Sequence, residues 1–163
     1  MTLLACSLSG NAQEIFNEIM KKSQATAADP TANETVRRIA QFKTDALGYM
    51  LLKMREEMPD SSVILLDRQA LALNTFVTFY INSVLEASTM PDAYQIEVIK
   101  RFMDASFSNP LFNDEEQDIT LSYYARSDCF TRFSLDTDWP RANVAAMMAL
   151  NTLKREKGTA TED

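Results

Sequence analysis

Residues 63–87 read VILLDRQALALNTFVTFYINSVLEA, and their spacing decides the fold. Val63, Leu66, Ala70, Leu73, Val77, Tyr80 and Val84 recur at alternating steps of three and four, the period of one face of an α-helix. Ile64, Leu65, Leu71, Phe76, Phe79 and Ile81 widen that face until apolar side chains cover much of the circumference. A helix apolar on so many sides is contacted on several of them, so the stretch reads as a central helix. Asp60 or Ser61 is placed to cap its start.

Thr31-Ala32-Asn33-Glu34 has capping-box spacing, with Thr31 as the expected N-cap and Glu34 reaching back. The helix that follows runs to about Met58, where Pro59 ends it. Its apolar face is Val36, Ile39, Leu47, Met50, Leu51, Met54 and Met58, widened by Phe42, Ala46 and Tyr49 and interrupted by Lys43. The short connection to residue 63 makes these two long helices antiparallel. Before them, Gln13 to about Gln24 places Ile15, Phe16, Ile19 and Met20 on one helical face, and Asp29-Pro30 breaks the pattern.

After the central helix, Thr89-Met90-Pro91-Asp92 starts another, to about Phe107, with Ile96, Ile99, Phe102 and Met103 expected inward. Asn109-Pro110 breaks the chain, and Asn113 can cap a shorter helix, Asp114 to Ala125. Asp138 can cap the last helix, Trp139 to about Lys157; Pro140 fits its first turn and Gly158 is the expected stop. The stretch Ile119 to Leu135 is rich in β-formers. It reads as a helix followed by an ordered loop, because the acids from Asp114 to Asp118 suit a helix start; a hairpin is the alternative. The expected fold is all-α, a compact bundle of about five to six helices with two long central antiparallel helices. Residues 13–158 form a single domain, and 159–163 a disordered tail.

Composition excludes several classes of function. With 163 residues the chain has room for one real core. Its net charge of −7 opposes nucleic acid and anionic lipid, whose phosphates call for a basic face. No apolar run reaches the length of a membrane span. Three glycines, Gly10, Gly48 and Gly158, cannot build a phosphate-cradling loop. The absence of histidine removes Ser-His-Asp and Cys-His chemistry and the imidazole ligands of zinc. No enzymatic role and no cofactor is expected.

Residues 1–12, MTLLACSLSGNA, carry no charge and end on small residues of the kind a signal peptidase accepts. They read as the tail of an export signal, so a periplasmic or secreted protein is expected. A signal also has a basic start, which is absent before Leu3; a translation start upstream of Met1 would account for it. Leu3-Leu4-Ala5-Cys6 resembles a bacterial lipobox, so a lipid anchor through Cys6 is the alternative. Cys129 is then the sole cysteine of the mature chain, which has no intrachain disulfide; a small buried side chain is its expected role.

The segment from Arg126 to Arg141 is the candidate binding surface. It gathers Phe130, Phe133 and Trp139 with Arg126, Arg132 and Arg141, the residue types that dominate interaction hot spots. Such a surface suits an unidentified protein partner or, through an aromatic platform, a small molecule or glycan. The competing reading docks the rings onto the bundle and pairs the arginines with Asp128, Asp136 and Asp138. Asp114, Glu115, Glu116 and Asp118 lack the spacing and the glycine of a calcium loop, so no metal is expected there. Asp136 and Asp138 are a carboxylate pair, but they straddle a turn where Asp138 already serves as a cap, so no catalytic residue is assigned. Met50, Met54 and Met58 form a row that suits a core more than an adaptable groove.

Three segments carry a family resemblance: Ala40-Gln41-Phe42-Lys43-Thr44-Asp45-Ala46-Leu47, Met58-Pro59-Asp60-Ser61-Ser62-Val63 and Phe133-Ser134-Leu135-Asp136-Thr137-Asp138-Trp139. They resemble small exported, uncharacterised proteins of gut Bacteroidetes, over most of the chain from Gln13 to Lys154. The resemblance implies export and brings no activity and no functional residues. An exported helical bundle acting as a protein-interaction or envelope-associated module is therefore expected, with a small-molecule or glycan binder as the alternative.

Overall fold

The computed structural model describes residues 14–60, 63–112 and 133–159. Five helices lie among them: α1 Glu14–Ala28, α2 Glu34–Glu57, α3 Val63–Ala87, α4 Asp92–Phe107 and α5 Trp139–Thr159. No strand occurs among the described residues. The architecture is the expected all-α bundle framed by the two longest helices, α2 and α3, which form an antiparallel pair. The expected helix from Asp114 to Ala125, the hairpin alternative up to residue 132, Cys129 and residues 1–12 lie outside the described residues.

The helix ends follow local chemistry. α1 runs one turn beyond expectation, through the alanine-rich Ala25-Thr26-Ala27-Ala28. The N-cap of α2 is Asn33, whose side chain accepts the Thr35 N–H at 2.8 Å. Thr31 was the expected cap, but its N–H and hydroxyl both donate to Asp29 Oδ1, at 2.8 and 2.7 Å. The aspartate folds the chain back on itself around Pro30 and takes the threonine out of reach of the helix. Asp138 caps α5 as expected, accepting the Arg141 N–H at 3.4 Å. Gly158 does not stop α5, which continues to Thr159. A glycine weakens a helix by only about 0.5–1 kcal/mol.

α3 touches all four other helices. Its residues Leu66, Ala70, Leu73, Phe76 and Val77 are buried, as the period requires. α5 runs parallel to it: Gln69 meets Trp139, Ala72 meets Asn143 and Glu86 meets Lys154. α4 runs back between them, with Tyr94 and Val98 beside Leu150 and Asn109 bonded to Asp138. Its inward stripe is Val98, Phe102, Ala105 and Ser106. Of the four residues expected inward, Phe102 is buried, Ile99 and Met103 are half-buried, and Ile96 is 63% exposed. Contact with both α3 and α5 turns the helix so that Val98 takes the place assigned to Ile96.

The core centres on Phe76. Its ring meets Phe133, Trp139 and Phe102 with centroids 5.2, 5.3 and 5.4 Å away. Phe42 of α2 closes the cluster, edge-on to Phe133 and Trp139. Edge-to-face packing sets the positive rim of one ring against the negative face of the next. Met50 and Met54 belong to this core, whereas Met58 is exposed at the end of α2.

Irregular backbone can be buried only when its polar groups are paired. Residues 133–138 meet that condition. The Ser134 N–H donates to Ser106 Oγ at 2.9 Å, and Thr137 Oγ1 donates to the Ser134 carbonyl at 2.7 Å. Ser106 Oγ lies 2.8 Å from Thr137 Oγ1. Each hydroxyl has one proton, so Ser106 must donate to Thr137, and the three bonds close a ring. Asp136 Oδ1 accepts the backbone N–H groups of Leu111 and Phe112, at 3.1 and 2.9 Å.

Candidate functional site

Of the six residues proposed from sequence as a binding surface, Phe133, Trp139 and Arg141 fall among the described residues. Arg126, Phe130 and Arg132 lie outside the described residues. Phe133 and Trp139 are fully buried against Phe42 and Phe76, with no ring face open to a ligand. Arg141 is exposed and its Nε lies 3.3 Å from Asp138 Oδ2. Asp136 and Asp138 are engaged by backbone amides, Gln69 and Arg141, which fits anchoring of the α5 start. Among the described residues no cluster of acidic or sulfur ligands could hold a metal ion, and no helix is long and apolar enough to cross a membrane.

An open apolar surface lies instead along α3, where it meets α5 and the first two helices. Leu71, read from sequence as a covered flank, is 52% exposed. It stands between two depressions. On one side, α3 and α5 leave a groove of about 900 Å³, with Ala72 and Phe79 lining it beside Leu71, Val144 and Met147. Val144 and Met147 are 53% and 50% exposed. The groove exists because small or short residues, Ala72, Thr75 and Asn143, occupy the facing positions of the two helices. Asn143 Nδ2 donates to the Ala72 carbonyl at 2.9 Å and holds the helices in this register. Its polar edges, Thr75, Thr78, Asn82 and Asn143, are uncharged, and Arg68 is its one ionic residue among the described residues.

On the other side, α1, α2 and α3 border an open cleft of about 560 Å³. Ile15, Ile19, Val36 and Ile39 line it together with Leu71. Lys43, the residue that interrupts the apolar stripe of α2, enters this cleft and donates from Nζ to Asn74 Oδ1 at 2.6 Å. Burial pulls the Lys43 ammonium below the ordinary lysine value of 10.5. Among the described residues no carboxylate pairs with it. Leu71 and Asn74 line both depressions, which are therefore neighbours along α3.

Lys43 was visible in the sequence as a charge on an apolar face. The groove was not, because counting apolar residues around α3 does not say which side the other helices leave open. No known protein family, curated protein or solved structure matches the chain.

Proposed function

We propose that the chain is an exported, non-enzymatic interaction module that binds an amphipathic helix of a protein partner in the groove between α3 and α5. The carrying observation is the set of half-exposed apolar side chains Leu71, Val144 and Met147 along one groove. Parallel helices that leave an apolar trough suit a third helix presenting apolar residues at i, i+3/i+4 and i+7. Neutral edges in a chain of net charge −7 favour a partner with an apolar ridge and few cations, and Arg68 suits an acidic residue at one end. A concave site lined by Trp139 would have favoured a glycan binder, but that ring is in the core. Export rests on the residue pattern of 1–12 and on the resemblance to exported proteins.

Two experiments test the proposal. A photo-crosslinking residue placed at Met147 of the full chain in its native cells is expected to give one discrete adduct, absent when the residue is placed at exposed Lys21. Leu71→Asp is expected to remove that adduct while the melting curve is unchanged. An adduct that survives Leu71→Asp, or that also forms from Lys21, overturns the groove as the partner site. The N-terminus and intact mass of the native protein in separated cell fractions decide export. A chain that retains Met1 in the cytoplasm overturns that part of the proposal.

A further inference from the structure

The cleft on the other side of Leu71 holds a half-buried lysine that the partner groove lacks. We propose that it binds a small molecule with a carboxylate head and a short apolar tail, the head held by Lys43 Nζ and the Asn74 side-chain amide. The inference does not rest on the partner reading or on export, although the cleft shares Leu71 and Asn74 with the groove.

Lys43 sets the chemistry of the cleft. Its side chain is half-buried beside Ile15, Ile19, Val36 and Ile39, and its one acceptor among the described residues is a neutral amide oxygen. Holding an ammonium there without an anion is unfavourable, and the lowered proton affinity of Lys43 reflects this. Asn74 presents Oδ1 to the lysine, so its two N–H donors remain without an acceptor among the described residues. A carboxylate accepts at both oxygens and can take a proton donor from each residue. The space, about 560 Å³, is that of a small-molecule site, and its apolar walls suit an alkyl or aryl tail.

The charges that face the cleft are few. α1 contributes Glu18 and Lys22, which bind each other at 2.5 Å one helical turn apart. That contact holds Glu18 below its ordinary carboxylate value and keeps its charge compensated. α2 contributes Lys43, and α3 contributes Leu71 and Asn74 without charge. Among the described residues, the unmatched charge in the cleft is therefore the Lys43 cation.

The test uses the full chain and decanoate below its micelle concentration, followed by calorimetry and by methyl NMR. Decanol and decylamine serve as neutral and cationic controls. Decanoate is expected to bind one to one, to shift the methyl signals of Ile15, Val36 and Ile39, and to bind at least about tenfold more tightly than either control. Lys43→Met is expected to weaken decanoate about tenfold or more. Asn74→Asp supplies an internal carboxylate to Lys43 and is expected to weaken binding similarly, with a melting temperature that is kept or raised. In the methylated protein, the Lys43 NMR titration is expected to move to higher pH when decanoate binds. No binding, equal binding of decanol, wild-type affinity in both variants, or shifts confined to Val144 and Met147 would each overturn the proposal.

Discussion

The side-chain carbonyl of Gln69 accepts the backbone N–H of Trp139 at 3.0 Å, across 70 positions of sequence. Gln69 is 1% exposed and sits within the apolar stripe of α3. Its amide Nε2 also donates to Asp138 Oδ1 at 3.2 Å. One side chain thus satisfies the first free N–H of α5 and steadies the carboxylate that caps the same helix. Gln69→Leu keeps the volume and leaves a buried N–H without a partner. The expected loss is about 1–3 kcal/mol in urea unfolding. A change below about 0.5 kcal/mol would show that the bond contributes nothing net.

The ring formed by Ser106, Ser134 and Thr137 makes a separate prediction. Ser106→Ala removes the acceptor of the Ser134 N–H, and Thr137→Val removes the donor to the Ser134 carbonyl. Each variant is expected to lose about 1–3 kcal/mol. Because both act on one closed set of bonds, the double variant is expected to lose less than the sum, by about 0.5 kcal/mol or more. Strict additivity in a double-mutant cycle would mean that the three bonds act independently.

These two contacts mark the boundary of what the sequence discloses. The 3–4 spacing of Leu66, Ala70, Leu73 and Val77 is a local signal, and it identifies α3 as the central helix before any contact is known. Gln69 carries no local sign of its partner, which is fixed only when α5 docks. Thr31 and Asn33 are both good caps by type, and the choice between them depends on Asp29 capturing Thr31 first. Phe133 and Trp139 carry the same residue types whether they form a core or a binding surface. Only packing around Phe76 distinguishes the two. The candidate cleft follows the same logic: Lys43 is visible as a lone charge on an apolar face, whereas Asn74 joins it through the antiparallel packing of α2 and α3.

Gly48 lies in the interior of α2, and a Cβ added there meets nothing within 4 Å. Gly48→Ala therefore restricts the unfolded chain without crowding the folded one. The expected gain is about 0.5–1 kcal/mol, seen as a rise of about 1–4 °C in Tm. A fall in Tm would show that the position needs the glycine for a reason other than space.

Lys43 and Tyr80 set opposite slopes in the alkaline stability of the protein. Burial holds Lys43 below 10.5 in the folded state. Between its folded value and 10.5 the unfolded chain therefore binds more protons, so stability rises with pH across that window. Burial raises Tyr80 above 10.0. Above pH 10 the unfolded chain ionises first, so the stability that Tyr80 provides at lower pH is lost as pH climbs through its folded value. Single variants separate the two. Lys43→Met is expected to be more stable than the wild type at neutral pH, with a gap that narrows as pH approaches 10.5. Tyr80→Phe is expected to match the wild-type slope below pH 10 and to decline less steeply above it. Urea midpoints for the three proteins from pH 7 to 11 check both. A Lys43→Met gap that stays constant across this range would mean that the lysine is solvated like a surface residue, and the cleft would lose the unmatched charge that makes it a carboxylate site.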